Sequence, residues 1–423
     1  MTAASAASTA QGDAALSDRQ ITARILPLLA ACALGLVPFT VYSTFLVEIT
    51  RDAGQGAALM GWLRGTGGVA ALVVGLSCAP LLDRVSRGTT AAGALGVLAL
   101  ACVLGVLGSA WSWAGFCLLV GAATAVLNPA VSAMAADRFR DERTAGRAAT
   151  QVSATMTLTA MLAAPLLAGP AVLWGWRGDL LATAVLAAVT GALLLRRSRA
   201  DGAAAGGSRP SAPTGYASGL RVAWTLPGVP AVLLVSTLRT TAFMGQLAYL
   251  ALVYSERFAT GPGAFSLVWT LSGLAFFLGN WFGGRALRSQ PSARRAAWIA
   301  CGAALVGAGA VPVVFLAPVL PVALLATALL AASHAVVAAV VTTVLVRASS
   351  AHRGTVLGLN GAGQSLGVCL GATVAGTGLA VAGWEGVGTA LALVTLLAAL
   401  AAGRAARVLG GLERSGRHGG GAP

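Results

Sequence analysis

Three ionisable side chains lie inside long apolar stretches of the sequence: Arg64, Arg239 and His334. An ionisable residue within a hydrocarbon layer is costly, so it is expected to serve a function. If the helix of Arg239 enters that layer near Pro230, nine residues of helix place Arg239 about 14 Å into a layer ~30 Å thick. A guanidinium at that depth is expected to meet water or an anionic or electron-rich group. The alternative is that it binds backbone carbonyls of a broken helix.

Polar and aromatic side chains accompany Arg239 at helical spacing on an otherwise apolar stretch, which predicts one wet face of that helix. These residues are Ser236, Phe243, Gln246 and Tyr249. His334 has two interpretations: a proton-accepting switch, or a histidine packed and hydrogen-bonded in a core. The six cysteines lie in apolar stretches without CxxC spacing, so they predict neither disulfides nor metal ligands.

The elements that must hold these side chains follow from the composition. Of the 423 residues, 57% are hydrophobic and only 10% are charged, whereas a soluble domain carries about 25% charged residues. A soluble enzyme, a disordered protein and a disulfide scaffold are therefore excluded. Twelve apolar stretches, each long enough for the ~20 residues of a membrane-spanning helix, predict an all-α polytopic membrane protein. They cover about 25–47, 57–82, 89–110, 113–136, 148–173, 178–195, 228–255, 263–287, 296–317, 319–346, 354–382 and 386–403.

The predicted spans fall into two halves of six. The expected segments are a disordered cytoplasmic tail over 1–20, an N-terminal six-helix bundle over 21–197, a cytoplasmic linker over 198–227, a C-terminal six-helix bundle over 228–403 and a basic cytoplasmic tail over 404–423. The halves repeat, because Gly175-Trp176 after the fifth span recurs as Gly383-Trp384 after the eleventh. Parallel repeats of this kind are a transporter architecture. Each tryptophan is also expected to anchor its loop at the membrane surface.

The arginines predict the orientation. All 28 basic residues are arginines, and with a cytoplasmic N-terminus the outer loops hold only Arg51, Arg177 and Arg257. Both termini are therefore expected in the cytoplasm, with the chain in the cytoplasmic (inner) membrane. The net charge of +15 comes without an aromatic-interleaved basic patch or a binding module, so no nucleic-acid partner is expected.

The loop after the second span, residues 80–88, has a motif that resembles the cytoplasmic loop of the major facilitator superfamily. The matching residues are Leu81, Asp83, Arg84 and Arg87. The resemblance implies twelve transmembrane helices in two pseudo-symmetric six-helix bundles. It also implies a conformational latch, in which a carboxylate and arginines connect neighbouring cytoplasmic helix ends. The implied latch residues are Asp83, Arg84, Arg87 and Arg138. The alternative is a basic loop that only obeys the orientation rule.

A member of this superfamily is expected to be a transporter that works by alternating access, without a cofactor and without enzymatic activity. Residues Met161 to Gly169 of the fifth span resemble a degenerate drug-antiporter pattern, which favours export of a small organic molecule, drug-like or a metabolite, by proton antiport. The alternative for this segment is plain close packing of helices. The alternatives are an importer or facilitator of a small metabolite and, more distantly, a membrane-embedded transferase for lipids. That transferase would need a cluster of Asp, Glu and His, which the sequence lacks. The expected partners are the substrate, protons and the lipid bilayer, and the expected functional form is a monomer.

The superfamily lines its cavity with the first, fourth, seventh and tenth spans, which adds residues to the face around Arg239. The predicted substrate-binding residues are Arg239, Gln246, Tyr249, Phe243, Asn128, Thr124, Tyr42 and His334. Glu48, Glu256 and Arg64 lie nearer the outer ends of their spans and are candidates for coupling. The alternatives are solvated ion pairs of the glutamates with Arg51 and Arg257, and a snorkelling side chain for Arg64.

Overall fold

The computed structural model of the chain describes residues 16–82, 86–139, 141–204, 221, 224–288, 292–348 and 353–419. Every regular element within these ranges is a helix, which confirms the predicted all-α architecture. In chain order the helices are α1 (Asp18–Thr44), α2 (Leu46–Ala53), α3 (Ala57–Leu82), α4 (Arg87–Val106), α5 (Ala110–Asp137), α6 (Glu142–Ala204), α7 (Val229–Phe258), α8 (Pro262–Arg288), α9 (Ala293–Leu316), α10 (Leu320–Ala348) and α11 (Arg353–Gly419).

Ten of these described helices are long and apolar enough to cross a membrane, and two of the ten are broken in the middle. α6 breaks at Gly175 (φ 65°), and α11 breaks at Ala382 and Gly383 (φ 57°). A positive φ is open to glycine because it has no Cβ, and these two glycines belong to the repeated Gly-Trp pair. The apolar part of each broken helix has 57 residues, about 85 Å of helix and far more than one crossing. Each is therefore long enough for two spans, which is compatible with the twelve predicted crossings.

Helical structure extends into both predicted tails. Ser17 caps α1 through a capping box with Gln20, and Arg147 binds Asp18 at 2.6 Å, so the helix begins inside the predicted tail 1–20. Residues 1–15 lie outside the described part of the chain. At the other end, α11 continues to Gly419 through the predicted tail 404–423. The reason is apolar burial: the tail contributes side chains to a core of valines and alanines. They are Ala405, Ala406 and Leu409.

The chain forms two compact units. The first comprises residues 1–45 and 70–212, and the second comprises 46–69 and 213–423. The first unit therefore holds α1, the second part of α3, and α4 to α6. The second unit holds α2, the first part of α3, and α7 to α11.

The sequence-based division placed residues 46–69 in the N-terminal bundle, whereas the structure groups them with the second unit. Glycines explain the difference, because they let the first part of α3 approach α11 closely. A Cβ on Gly65 would lie 2.7 Å from the Cβ of Ala372, and a Cβ on Gly68 would lie 2.5 Å from the carbonyl oxygen of Ser365. Neither position has room for a side chain.

An aromatic cluster in the first unit lies where α1 ends, α5 begins and α6 breaks. The ring of Tyr42 on α1 lies 5.1 Å from that of Trp113 and 5.9 Å from that of Phe116, both on α5. Trp176, just after the break in α6, lies 5.4 Å from Trp113 and is buried. The interpretation of Trp176 as an anchor at the membrane surface is therefore wrong. Its ring instead joins the core, with the Arg177 guanidinium 4.2 Å above it.

Candidate functional site

The most unusual buried residue of the second unit is Arg239, which is 7% exposed on α7. The helix runs unbroken from Val229 to Phe258, so its carbonyls remain engaged in intrahelical hydrogen bonds. The alternative in which Arg239 binds the carbonyls of a broken helix is therefore not what the structure has. The guanidinium must be stabilised by other groups.

Few groups in the described part of the chain bind this guanidinium. Nη2 of Arg239 donates a hydrogen bond of 2.8 Å to the Thr240 hydroxyl, which itself donates to the Ser236 carbonyl. Nε of Arg239 has no hydrogen-bond partner among the described residues, and no carboxylate in that part of the chain forms an ion pair with it. One neutral hydroxyl does not compensate a full buried charge. The site therefore has unused capacity for an anion.

Rings from three helices meet one turn along α7 from Arg239. Phe243, one turn further along α7, stacks on Phe276 of α8 with ring centroids 5.3 Å apart, and its ring lies 5.3 Å from that of His334 on α10. His334 is 2% exposed, and Arg239 lies close enough to interact with it electrostatically. Within the described residues, Nε2 of His334 lacks a hydrogen-bond partner. His334 is therefore not a fully hydrogen-bonded core residue.

Further buried polar atoms on α7 and α11 also lack partners within the described ranges. On α7 they are the Ser236 hydroxyl and both polar atoms of the Gln246 amide. On α11 the oxygen of the Asn360 amide is in the same situation. Asn360 lies three residues before Gly363, whose missing Cβ would approach the Thr237 hydroxyl to 2.6 Å, so Asn360 is on the face of α11 that meets α7. Buried polar groups are normally satisfied, so these atoms indicate a place for water or a ligand.

Tyr249 has different contacts from the other residues of the Arg239 face of α7, although the helical spacing placed it on that face. Its hydroxyl donates to the Ala58 carbonyl at 3.0 Å. The ring fills a notch between two glycines: a Cβ on Gly61 would overlap the ring, and a Cβ on Gly376 would lie 2.6 Å from the hydroxyl. In this structure Tyr249 holds α3 and α11 to α7.

The predicted binding residues of the first unit have different surroundings. Tyr42 is fully buried in the aromatic cluster. The Thr124 hydroxyl donates to the carbonyls of Val120 and Gly121. Asn128 faces α1, because a Cβ on Gly35 would lie 3.6 Å from its amide oxygen. That oxygen has no partner in the described part of the chain, so Asn128 alone of the three retains an unused polar atom.

The three coupling candidates have different surroundings in the structure. Glu48 is half-buried on α2, and burial raises the pKa of its carboxyl, an effect that its backbone hydrogen bond and Arg51 partly oppose. Glu256 accepts a hydrogen bond of 3.0 Å from Trp384, the second tryptophan of the repeat. Arg257 donates to the carbonyls of Leu316 and Ala317. The expected Glu256–Arg257 ion pair is therefore wrong, because both side chains have other partners. Arg64 is half-buried on α3.

Of the predicted latch residues, Asp83 and Arg84 lie outside the described residues. Arg87, at the start of α4, forms an ion pair with Asp137 at the end of α5, and both side chains are exposed. Arg138 follows Asp137 and is also exposed. In the first unit, Arg87 thus joins two neighbouring helix ends.

Two residues that the sequence analysis missed stand out. Phe276 had no signal, since it is one of two adjacent phenylalanines on an apolar helix. Only packing distinguishes it from Phe277, which is exposed. Asp179 is a buried carboxylate just after the break in α6, where it accepts a 2.7 Å hydrogen bond from Trp174. It lay at the predicted span boundary, so its burial could not be read from spacing.

The comparisons with known proteins agree with this architecture. The sequence model of the Major Facilitator Superfamily matches residues 27–317. No curated protein sequence matches the chain. A bacterial homologue of the human lysosomal transporter Spinster, in an inward-facing and unoccupied conformation, has a TM-score of 0.73 at 15% identity, over 92% of this chain and 97% of that chain.

Two further solved structures are similar in fold. The nucleoside transporter NupG has a TM-score of 0.69 at 14% identity, over 91% of this chain and 98% of that chain. The human organic anion transporter MFSD10 has a TM-score of 0.62 at 19% identity, over 92% of this chain and 100% of that chain. At these identities the similarity concerns the fold alone.

Proposed function

Because the chain belongs to the major facilitator superfamily of membrane transporters, we propose that it exports a small organic molecule by alternating access, in exchange for protons. The observation that carries the proposal is the buried guanidinium of Arg239, which has one neutral partner and an unpartnered Nε in the described part of the chain. A central arginine costs at least ~2.5 kcal/mol on insertion scales. A structural role would call for a carboxylate or several carbonyls around it. A binding role explains why those groups are missing.

The substrate site comprises Arg239, Phe243, Gln246 and His334 of the second unit. Asn128 and Thr124 of the first unit are separate candidates, proposed from the superfamily's cavity-lining spans. In the proposed cycle Glu48 is the proton-exchanging group, because burial raises the pKa of its carboxyl and so favours proton binding. The buried Nε2 of His334 has no partner within the described ranges, which leaves that atom open to the substrate. Proton antiport then means that protonation of Glu48 and substrate occupancy alternate.

The proposed orientation follows the arginine distribution, with both termini in the cytoplasm and the chain acting as a monomer in the cytoplasmic membrane. Asp83 and Arg84, with Arg87 and Arg138, form the cytoplasmic latch of this proposal. The ion pair of Arg87 with Asp137 supports it, because this pair already connects the cytoplasmic ends of two helices under that orientation.

Accumulation of small organic probes in energised inside-out vesicles tests the proposal. Vesicles with the protein should accumulate probe above vesicles without it, and a protonophore should abolish the excess. Arg239→Gln should lower the initial rate by about 10-fold or more, because a charge-assisted hydrogen bond is worth about 1.5–3 kcal/mol. Membrane abundance should not change.

Arg257→Gln is the matched control, because it removes the same charge from the same helix, 18 residues or about 27 Å further along. It should transport at the wild-type rate. Accumulation that persists with the protonophore would contradict proton coupling. Wild-type transport by Arg239→Gln would contradict the site.

A further inference from the structure

We infer that the substrate is an organic anion with a flat ring, whose anionic group binds Arg239 and whose ring packs beside Phe243. This inference rests on the proposed function and specifies its substrate class. It excludes cations and neutral molecules as preferred substrates. Charge, geometry and the positions of unsatisfied polar atoms each support it.

The charge of the substrate follows from the charge balance of the site. Arg239 stays protonated at any physiological pH, is almost completely buried, and has no ion-pair partner among the described residues. A cation would add a second positive charge in a low-dielectric environment, and a neutral molecule would leave the first uncompensated. One anionic group balances the site. The free Nε–H lies on an edge of the guanidinium, and such an edge fits the two oxygens of a carboxylate.

The flat ring of the substrate follows from the aromatic rings of three helices that meet one turn along α7 from Arg239. Phe243 is four residues further along α7, about 6 Å along the helix axis. Its ring is nearly parallel to that of Phe276, with an interplanar angle of 26°, and its other neighbour is the His334 ring. Flat rings stack well on such surfaces. A substrate that reaches both features carries its ring a few ångströms from its anionic group, as an aryl carboxylate does.

Unused hydrogen-bond groups on the same helix indicate a further property of the substrate. Ser236 lies three residues before Arg239 and Gln246 lies seven after it, both close to its face of α7. Both side chains are buried, and their polar atoms lack partners in the part of the chain described. A hydroxyl or amide on the substrate would satisfy them. The preferred substrate is therefore an aromatic anion with at least one neutral polar substituent.

Equilibrium binding to the purified full-length protein in lipid nanodiscs, without any gradient, tests the inference. The probes are 2-naphthoate, its neutral counterpart 2-naphthamide, and octanoate as an anion without a ring. Wild type should bind naphthoate about 10- to 100-fold more tightly than naphthamide, from the 1.5–3 kcal/mol of a charge-assisted contact. Naphthoate should also bind more tightly than octanoate.

The variants separate the two contacts. Arg239→Gln should remove the preference for naphthoate over naphthamide, whereas Arg239→Lys should weaken binding but retain the preference. Phe243→Leu should remove the preference for naphthoate over octanoate. Arg257→Gln should behave as wild type. Equal binding of naphthoate and naphthamide to wild type, or an unchanged naphthoate affinity in Arg239→Gln, would overturn the inference.

Failure of the substrate class and failure of the proposed function give different results. Naphthoate that binds through Arg239 but is not accumulated in energised vesicles supports the substrate class and contradicts coupled export. Accumulation of other probes by a protein that does not bind naphthoate overturns the substrate class and leaves export standing. The two assays therefore decide the two statements separately.

Discussion

The two units both bury a group of aromatic rings, but only one of the groups includes a charge. In the first unit, Tyr42, Trp113 and Phe116 enclose one another. In the second, Phe243 contacts the rings of Phe276 and His334 one turn along α7 from Arg239. The unsatisfied groups differ accordingly. The Trp113 cluster leaves one neutral N–H without a partner in the described residues, and the Arg239 cluster leaves part of a guanidinium.

This difference is the reason for proposing a binding site in the second unit and a packed core in the first. An unsatisfied neutral N–H costs about 1–3 kcal/mol, which a well-packed ring cluster offsets by its burial. An uncompensated charge costs more, and burial of neighbouring rings does not reduce it. Aromatic residues at helical spacing therefore do not identify a binding site by themselves. A buried charge without a countercharge among the rings does.

The largest effect that would sharpen this comparison is expected from Trp113→Ala. The Trp113 ring is fully buried and touches three other rings, so its loss should lower the free energy of unfolding by about 3–5 kcal/mol. The remaining folded protein should bind naphthoate with wild-type affinity. Thermal unfolding and binding of the same purified sample measure both quantities.

Trp111→Ala is the matched control, because Trp111 lies two residues away on the same helix and is 89% exposed. It should leave the melting temperature nearly unchanged. If Trp113→Ala were as stable as wild type but bound naphthoate weakly, the first cluster would be part of the site and the comparison would fail.

Parts of this contrast could be predicted from the sequence. The repeated Gly-Trp pair predicted the ends of two spans, and both glycines have the positive φ that breaks a long helix. The depth of Arg239 in its apolar stretch predicted a buried charge, which the structure has. Both properties depend on residues close together in the chain, and local spacing is what a sequence displays directly.

Properties that depend on a neighbouring helix could not be predicted in the same way. The helical period placed Tyr249 on the same face of α7 as Arg239, but glycines on α3 and α11 decide what its ring contacts. The same limit applies to Trp176, whose position next to the loop suggested the membrane surface, whereas its contact with Trp113 buries it. Phe276 was missed because no feature of its own helix distinguishes it from Phe277.

A smaller effect is expected from Gly61→Ala, which tests the interpretation of Tyr249 as a packing residue. The new Cβ would overlap the Tyr249 ring, and overpacking of this kind costs about 1–3 kcal/mol. We expect a lower melting temperature of the purified protein. The double variant Gly61→Ala/Tyr249→Leu should recover part of the loss, because a smaller side chain leaves room for the methyl group.

Gly75→Ala on the same helix is the control for Gly61→Ala. Among the described residues, no atom outside the backbone of the same helix turn lies within 4 Å of a Cβ built on Gly75. The variant should therefore be as stable as wild type or, since alanine favours helices by up to about 1 kcal/mol, slightly more stable. If Gly61→Ala and Gly75→Ala had the same melting temperature, the close packing of Tyr249 against α3 would be refuted. Tyr249 would then be a candidate binding residue on the Arg239 face of α7.

The smallest effect is expected from Glu48→Gln. This variant tests a half-buried carboxyl, which can lose its charge by binding a proton, whereas the Arg239 guanidinium stays charged. Burial raises the pKa of the Glu48 carboxyl above its ordinary value of 4.5, so folding favours the protonated form. This contribution to stability is complete below pH 4.5 and is lost as the pH rises through the raised pKa. Glutamine is neutral throughout. The variant should therefore melt at a higher temperature than wild type at pH 7.5, and the difference should shrink towards pH 4.5. Glu385→Gln, at an exposed carboxylate, should show no such trend. A melting-temperature difference between Glu48→Gln and wild type that grew towards low pH would mean that Glu48 is stabilised in its charged form.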